Sequence, residues 1–206
     1  MPTLRQALKQ CPIVAILRGV QPEEVVAVGD ALVDAGITII EVPLNSPLPF
    51  DSIIRLSARH SGRALIGAGT VLDPADVTLV KDAGGGLVVA PNFDAEVVRA
   101  AKGLGLATLP GVMTPSEGFA ALKAGADGLK LFPAEMIPPA IVKAWRAVFD
   151  PETLMLAVGG VSVDNIRSYA EAGTSGYGIG SALYKPGRSP EEIGKLAKAL
   201  VAALKA

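Results

Sequence analysis

The chain has 206 residues, of which 50% are hydrophobic and 4% aromatic, and its 19 Lys and Arg residues are balanced by 20 Asp and Glu residues. This length fits one domain with its own core, and the balanced charge and scarce aromatic rings exclude a typical nucleic-acid-binding surface. A single histidine, His60, and a single cysteine, Cys11, exclude an intrachain disulfide and the usual zinc sites.

The hydrophobic character of the chain does not predict a membrane protein. Its mean hydropathy is +0.43. However, the longest stretch without a charge, residues 103–116, contains Gly, Pro and Ser and is shorter than the about 20 apolar residues that cross a bilayer. The first apolar run, residues 12–17, is too short for a signal peptide and is followed at once by Arg18. With only one cysteine, we expect a protein of a reducing compartment, the cytoplasm.

Short apolar runs alternate with helix-like segments along the chain. In chain order, a short helix before residue 12 is followed by predicted strands (β) and helices (α) at 12–17 (β), 21–34 (α), 37–44 (β), 50–60 (α), 64–72 (β), 74–83 (α), 87–91 (β), 94–104 (α), 106–112 (β), 115–124 (α), 128–133 (β), 138–149 (α), 154–161 (β), 163–172 (α), 176–184 (β) and 190–204 (α). Continuously apolar strands separated by helices are typical of a parallel sheet covered on both faces.

The spacing of glycines indicates one repeated strand-and-helix unit. Five helices are followed by a glycine, as a left-handed C-cap favours, and Gly84, Gly105 and Gly125 are separated by 21 and 20 residues. Eight such units predict a (β/α)8 TIM barrel that forms a single domain over residues 1–206, with the short N-terminal helix covering one end. The competing interpretation is an open, doubly wound sheet, in which eight strands without a long insertion are less natural.

Three charged residues occur where apolar residues are expected. Lys130 lies within the strand at 128–133, Glu41 within the strand at 37–44, and Arg18 at the tip of the first strand. Burial lowers the pKa of a lysine, and a neutral buried amine can attack a carbonyl to form a Schiff base while a nearby carboxylate moves protons. The alternative is a buried Lys–Glu pair that only fixes packing.

Small polar and glycine residues end other predicted strands. Thr70 follows two glycines that would let a ligand approach the backbone, whereas Thr114 is expected to cap the next helix. The last two strands end in Gly159-Gly160 and Gly178-Ile179-Gly180-Ser181, and glycine-rich loops at these strands form the usual phosphate site of the barrel. The alternative is tight turns without a ligand.

Four further residues receive no chemical role. His60 ends a helix and is expected at the surface, and Cys11 is expected to be buried or half-buried. Trp145 and Phe149 share a helical face and are predicted to pack between their helix and the barrel.

Taken together, these residues resemble the class I KDPG/KHG aldolase family over nearly the whole chain. The motifs that carry the resemblance are Leu17-Arg18-Gly19, Glu41-Val42-Pro43-Leu44-Asn45-Ser46-Pro47, Gly67-Ala68-Gly69-Thr70-Val71, Pro91-Asn92, Leu109-Pro110-Gly111, Leu129-Lys130-Leu131-Phe132-Pro133-Ala134, Gly159-Gly160-Val161 and Gly178-Ile179-Gly180-Ser181. The resemblance implies a lyase that reversibly cleaves a phosphorylated 2-keto-3-deoxy sugar acid to pyruvate and D-glyceraldehyde 3-phosphate. It also implies a homotrimer that needs no cofactor and no metal.

The resemblance assigns a role to each candidate residue. Lys130 would form the Schiff base with the C2 ketone, and Glu41, through a water, would move protons during carbinolamine formation and at the C4 hydroxyl. The implied binding residues are Arg18 and Thr70 for the carboxylate, Pro91 and Phe132 for the apolar pocket around the pyruvyl group, and Gly160, Gly180 and Ser181 for the phosphate.

One motif bears on the substrate. Members that act on the gluconate series carry Thr and Arg after the Glu-Val pair, where this chain has Pro43 and Asn45. This favours 2-dehydro-3-deoxy-6-phosphogalactonate, with Arg18 as the carboxylate ligand. The alternatives are a 2-dehydro-3-deoxy-6-phosphogluconate or 4-hydroxy-2-oxoglutarate aldolase of the same family, a sugar-phosphate isomerase or epimerase, and a silent sugar-acid binder.

Overall fold

The computed structural model describes residues 1–204, so the last two residues of the predicted domain lie outside the described part. The strands are β1 (Ile13–Ile16), β2 (Ile39–Pro43), β3 (Leu65–Gly69), β4 (Leu87–Val89), β5 (Ala107–Leu109), β6 (Gly111–Val112), β7 (Gly128–Leu131), β8 (Leu154–Val158) and β9 (Gly176–Ile179). The α-helices are α1 (Leu4–Gln10), α2 (Val25–Asp34), α3 (Pro49–Arg59), α4 (Pro74–Asp82), α5 (Ala95–Gly103), α6 (Pro115–Ala124), α7 (Pro139–Arg146), α8 (Ile166–Glu171) and α9 (Pro190–Ala203), and a 3-10 helix covers Ala134–Met136.

All strand pairs are parallel, and the sheet runs in the order β5-β4-β3-β2-β1-β9-β8-β7-β6. The two ends of this sheet, β5 and β6, are neighbours in the chain and are separated only by Pro110. The Lys130 N–H donates to Pro110 O at 2.9 Å, and the Ala90 N–H donates to Leu109 O at 3.3 Å, so this segment bonds on both sides. The sheet therefore closes into the predicted (β/α)8 barrel, and the doubly wound alternative is wrong.

The predicted fifth strand, 106–112, is split into β5 and β6. Proline has no N–H to donate to a neighbouring strand, so the regular ladder stops at Pro110. Two helices also begin later than predicted: α2 begins at Val25 and α8 at Ile166, because turns precede both.

Two apolar layers stabilise the barrel. The inner layer is formed by strand residues such as Val14, Leu65 and Leu156, and Leu4 and Leu8 of α1 pack against the same cluster at the N-terminal end of the barrel. The outer layer lies between the strands and the surrounding helices. Because α1 closes the N-terminal end, the carboxyl ends of the strands are the open face of the barrel.

Trp145 and Phe149 belong to the outer layer, as predicted. Their side chains are buried, and the two rings lie 5.6 Å apart between centroids. Thr114 caps α6 in a reciprocal capping box with Glu117, which confirms the interpretation of Thr114 as a cap.

The expectation for His60 is wrong, because its side chain is fully buried. The ring packs under Gly29 of α2, where a methyl group on the glycine would lie 3.0 Å from His60 Nε2. The local sequence suggests an exposed helix end, but the packing of α2 on α3 covers it. Cys11 is buried, within its expected range.

None of the helices in residues 1–204 has the length and apolarity needed to cross a bilayer. The same residues contain no cluster of three or more His, Cys, Asp or Glu side chains that could hold a metal ion.

Candidate active site

The Lys130 and Glu41 side chains point into the interior of the barrel. Lys130 comes from β7 and Glu41 from β2, and both line one small cavity together with Val14, Leu156 and Gly178. Only 5% of Lys130 and 2% of Glu41 is exposed. Two ionisable groups from opposite parts of the sheet therefore meet in an apolar interior.

Burial shifts the ionisation of both groups toward their neutral forms. Desolvation raises the pKa of Glu41 to about 6, against the opposing influence of the Lys130 and Arg18 charges. Desolvation also lowers the pKa of Lys130, against the attraction of Glu41, and the Arg18 charge lowers it further. A lowered pKa enlarges the neutral fraction of an amine, and the neutral amine is the nucleophile.

Lys130 and Glu41 are not a contact ion pair. In residues 1–204, no carboxylate oxygen lies within 4.0 Å of Lys130 Nζ, and Glu41 Oε2 has no hydrogen-bond partner. The Lys130 ammonium nitrogen instead lies 4.7 Å from the centroid of the Phe132 ring. A Lys–Glu pair that served only packing would have its charges in contact. This geometry therefore favours a catalytic role for the two residues over a packing role.

A second group of polar side chains gathers at the tips of β1, β2 and β3. Arg18 donates from Nη1 to Asn45 Oδ1 at 2.5 Å and from Nη2 to Thr70 Oγ1 at 3.4 Å. Ser46 Oγ accepts the Gly19 N–H at 3.0 Å and so holds the loop that carries Arg18. These contacts aim a guanidinium at the open face of the barrel, where it can pair with a carboxylate.

Thr70 itself has a positive φ of 56°, which is uncommon for a residue other than glycine. The sequence suggests that the two glycines before Thr70 open the backbone to a ligand. In the structure, protein atoms occupy the space beside both glycines. The Leu87 backbone occupies the space beside Gly67, and the Glu41 carboxylate occupies the space beside Gly69.

A larger cavity of about 630 Å³ opens above Lys130. Its wall is formed by the carboxyl ends of β1, β7, β8 and β9 and includes six of the candidate residues: Arg18, Lys130, Phe132, Gly160, Gly180 and Ser181. Glu41 lies in the smaller cavity beneath, and Lys130 lines both. Thr70 joins the site through Arg18. Pro91 is half-buried, and its carbonyl packs against Gly111 outside this wall.

The glycine-rich turns after β8 and β9 line this cavity. Gly159 and Gly160 have φ values of 101° and 65°, a conformation that favours glycine. After β9, Gly180 O accepts the N–H groups of Leu183 and Tyr184 at 2.8 and 2.9 Å. Within the described residues, the Ser181 N–H donates to no protein acceptor.

In the part of the chain that the structure describes, no helix N-terminus directly follows either turn. Helix α8 has six residues and starts at Ile166, and α9 starts at Pro190, nine residues after Ser181. Turns, rather than helix N-termini, therefore line this end of the cavity.

Sequence reasoning assigned no role to several residues that the structure brings to the site. Asn45 contacts Arg18, Tyr184 donates from its hydroxyl to Glu24 at 2.7 Å, and Lys185 lies on the cavity wall. The Asn45 and Tyr184 contacts join residues that are 27 and 160 positions apart in the sequence. The only sequence signal for any of these residues is that Asn45 belongs to the family motif that begins at Glu41.

Comparisons with known proteins agree with this geometry. Residues 4–197 match the family model described as "KDPG and KHG aldolase". The "Probable 2-dehydro-3-deoxy-6-phosphogalactonate aldolase" of Rhizobium meliloti is 48% identical over 93% of this chain and 91% of its own length. The "2-dehydro-3-deoxy-6-phosphogalactonate aldolase" of Escherichia coli is 43% identical over 93% of this chain and 94% of its own length.

Solved structures show the same fold. One described as "Native KDPGal structure" superposes with a TM-score of 0.94 at 42% identity and covers 95% of each chain. A designed protein cage made "by fusing symmetric oligomeric domains" superposes with a TM-score of 0.92 at 43% identity, over 94% of this chain and 72% of that one.

A more distant structure bears on the chemistry. It is the KDPG aldolase of Legionella pneumophila "with pyruvate captured at low pH as a covalent carbinolamine intermediate", with a TM-score of 0.87 and 25% identity over 97% of this chain and 98% of that one. The barrel, the buried lysine and the family model all lead to the same conclusion: the chain belongs to the KDPG and KHG aldolase family, whose members are lyases.

Proposed function

We propose that this chain is a class I aldolase that cleaves 2-dehydro-3-deoxy-6-phosphogalactonate to pyruvate and D-glyceraldehyde 3-phosphate. The single observation that carries the proposal is Lys130, a buried strand amine that faces a cavity without a carboxylate in contact with it. Burial lowers the pKa of Lys130, which enlarges the neutral fraction of the amine that can attack a ketone.

In this reaction, Lys130 Nζ adds to the C2 carbonyl to form a carbinolamine, which loses water to give a protonated imine. The C3–C4 bond then breaks, its electron pair moves toward the iminium nitrogen, and the C4 hydroxyl gives up its proton as the aldehyde forms. Protonation of the resulting enamine at C3 and hydrolysis of the imine release pyruvate and regenerate Lys130. The iminium is the electron sink, so the proposal includes no metal and no cofactor.

Glu41 is the proposed proton carrier in each of these steps. A general acid–base group works best when its pKa lies near the working pH, and burial raises the pKa of Glu41 to about 6. The carboxylate therefore both accepts and returns a proton near neutrality, through a water between it and the substrate.

The remaining candidate residues are proposed to hold the substrate. Arg18, oriented by Asn45 and Thr70, would pair with the carboxylate. The proposed apolar contacts of the pyruvyl group are Phe132 and Pro91, and the proposed phosphate donors are Gly160, Gly180 and Ser181.

The choice of the galactonate series is supported by the Pro43 and Asn45 pair and by the names of the two relatives with 48% and 43% identity. The gluconate-series substrate undergoes the same bond cleavage, since the two acids differ only in the configuration at C4. Cleavage rates with the two C4 epimers, compared as kcat/KM, decide between them. We expect the galactonate epimer to be preferred, and preference for the gluconate epimer would overturn the assignment.

We further propose that the enzyme is a homotrimer in the cytoplasm. The proposal is supported by the symmetric oligomeric domains of the cage protein and by an exposed apolar surface. Phe119, 49% exposed, stacks on Phe149 at 4.2 Å, next to Val148, which is 61% exposed. Light scattering should give about three times the subunit mass of 21.0 kDa, and a monomer mass would contradict it.

The decisive experiment for the chemistry is reductive trapping. The protein is incubated with pyruvate and borohydride, and the added mass is located by peptide digestion. We expect a reduced pyruvyl adduct on Lys130, no adduct in Lys130→Ala, and an unchanged adduct in Lys81→Ala, which removes an exposed lysine outside the site. A folded wild-type protein without an adduct at saturating pyruvate would overturn the aldolase proposal in favour of an isomerase or a silent binder.

A further inference from the structure

The charges that face the main cavity are uneven. Among residues 1–204, the side chains that line it include three basic groups, Arg18, Lys130 and Lys185, and no acidic one. The Glu135 carboxylate packs against Gly159 and Gly160 but does not line the cavity. The proposed substrate carries two anionic groups, a carboxylate and a phosphate. Under the proposed function Arg18 serves the carboxylate and Lys130 becomes the imine, so a phosphate held only by backbone N–H groups and Ser181 would lack a cation.

Lys185 is placed to supply that cation. It lies four residues after Ser181 and lines the same cavity as Gly160 and Gly180. Its side chain is exposed, and in residues 1–204 no carboxylate lies within 4.0 Å of its ammonium group. The charge is therefore not already neutralised by a protein partner and remains available to a ligand.

The segment that carries Lys185 is held on both sides. Before it, the Tyr184 hydroxyl donates to Glu24 Oε1 at 2.7 Å. After it, the Pro186 ring packs over Gly19, where a methyl group on the glycine would lie 3.0 Å from Pro186 Cγ. These contacts attach the segment to the loop that bears Arg18. A lysine on an anchored segment loses less backbone entropy when it binds a ligand.

The neighbouring turn is organised from behind by Arg188. Its Nη1 donates to Leu183 O at 2.8 Å and lies 3.4 and 3.5 Å from the carbonyl oxygens of Ser181 and Ala182. The three carbonyls converge on this guanidinium, and the N–H groups of Leu183 and Tyr184 donate to Gly180 O. Within the described residues, the N–H groups of Ser181 and Ala182 are therefore the ones left to donate to a ligand. The turn is thus arranged to present donors to an anion.

We infer that Lys185 is a specificity-determining residue that contacts the phosphate of the substrate and makes the enzyme prefer phosphorylated over unphosphorylated aldehydes. The inference rests on the proposed function. Charge-assisted hydrogen bonds to phosphate are among the stronger polar contacts, so loss of Lys185 should weaken the binding of the phosphate without changing the chemistry at Lys130.

The test compares two aldehydes in the condensation direction with pyruvate. For wild-type enzyme, Lys185→Ala, Lys185→Arg and the surface control Lys123→Ala, kcat/KM is measured with D-glyceraldehyde 3-phosphate and with D-glyceraldehyde. We expect Lys185→Ala to lower the ratio of the two values at least tenfold, through KM for the phosphorylated aldehyde. Lys185→Arg should retain most of the preference, and Lys123→Ala all of it. An unchanged ratio in folded Lys185→Ala would overturn the inference.

A binding measurement separates this inference from the proposed function. Inorganic phosphate is titrated into wild-type protein and Lys185→Ala, and its Kd is determined by calorimetry. We expect at least a fivefold weaker Kd in the variant, and equal affinities would overturn the role of Lys185 whether or not the protein turns over. If pyruvate is not trapped but the phosphate affinity still depends on Lys185, the aldolase proposal is rejected and the role of Lys185 in phosphate binding stands.

Discussion

The carboxylate of Glu41 lies against the Cα atom of Gly69. A methyl group built on Gly69 would overlap Glu41 Oε2 and lie 2.7 Å from Oε1. Gly69 ends β3 beside β2, the strand that carries Glu41. The absence of a side chain at position 69 therefore gives the acid its place inside the barrel, and it also leaves the carboxylate without a neighbouring polar group from β3.

Gly69→Ala should displace the Glu41 carboxylate and slow turnover. Proton transfer by a positioned side chain contributes about 10²–10⁴-fold, so we expect kcat to fall about 100-fold. Pyruvate should still be trapped on Lys130. Steady-state kinetics and borohydride trapping check the two parts.

Gly103→Ala is the matched control for this change. Apart from its chain neighbours and the backbone of its own helix, no described residue lies within 4 Å of a methyl group built on Gly103. We expect it to leave kcat unchanged. If Gly69→Ala kept kcat within about threefold of wild type in a folded protein, Glu41 would not need its observed position for the reaction.

Glu41→Gln should stabilise the protein at alkaline pH while abolishing turnover. Burial raises the pKa of Glu41 from 4.5 to about 6 in the folded state, so the folded protein binds more protons than the unfolded chain between these values. Stability from this group is thus lost as the pH rises through this window. At pH 8 the ionised carboxylate costs about 2 kcal/mol, which the neutral amide removes.

Urea unfolding of wild type and Glu41→Gln at pH 5 and pH 8 measures this difference. The gain in the free energy of unfolding should be largest at pH 8 and shrink toward pH 5. Equal or lower stability of the variant at pH 8 would mean that Glu41 is held by a net favourable charge pair rather than forced into the interior.

Asn45→Ala should raise KM for pyruvate with little effect on kcat. Asn45 Oδ1 accepts a hydrogen bond from Arg18, and without it the guanidinium loses its fixed direction. A hydrogen bond to a charged group contributes about 1.5–3 kcal/mol, part of which is regained from water, so we expect a rise of about threefold to tenfold. Asn45→Asp should raise KM further, because its carboxylate would neutralise Arg18.

Asn92 offers a matched control for these variants. It follows β4 at the same face of the barrel, and its side chain is exposed and donates to no protein group within the described residues. Asn92→Ala should leave KM for pyruvate unchanged. An unchanged KM in Asn45→Ala would place the carboxylate site away from Arg18.

His60 should make the fold less stable in acid. Its ring is fully buried, and Nε2 lies 3.6 Å from Asp30 Oδ1. Among the described residues, neither ring nitrogen has a hydrogen-bond partner. Burial lowers the pKa of His60, against the attraction of Asp30 and Asp34 on α2 and together with repulsion from Arg59 and Arg63. The unfolded chain therefore binds more protons below pH 6.5, and stability from this group is lost as the pH falls through that value.

His60→Leu removes the titrating ring and keeps an apolar side chain of similar size. We expect the variant to lose less stability than wild type between pH 7 and pH 5. The comparison is best made with Glu41→Gln present both with and without His60→Leu. The contribution of Glu41 to stability increases as the pH falls over the same range and would otherwise mask that of His60. Equal acid sensitivity with and without His60 would show that the ring is not the responsible group.

The barrel and the reacting pair could be predicted from local sequence. A buried parallel strand must be apolar along its whole length, so Lys130 and Glu41 stand out as charges in the wrong place. The unit of strand, helix and C-cap glycine likewise repeats about every 20 residues. A short stretch of sequence is therefore enough to identify it. These features depend on which side chains each segment buries, and the residue types of the segment itself determine that.

The tertiary structure decided what depends on contacts between distant segments. Barrel closure brings the tips of β1, β2 and β3 together, so that Arg18 meets Asn45 and Thr70, 27 and 52 residues away. The same closure brings Pro110 beside β7, where Pro110 O accepts the Lys130 N–H. No local pattern records these contacts, because each depends on the positions of two segments at once.

The packing of helices also overrode local expectation. Ser57 and Arg59 beside His60 suggest an exposed helix end, yet α2 covers the ring completely. Likewise, nothing in the sequence distinguishes Lys185 from an ordinary surface lysine. In the structure, contacts of its neighbours with Glu24 and Gly19 hold its segment at the edge of the cavity. The sequence by itself determined the barrel and the identity of its two buried charges. Only the tertiary structure decided which other side chains surround them, because side-chain neighbours are set by the closure of the sheet and the packing of its helices.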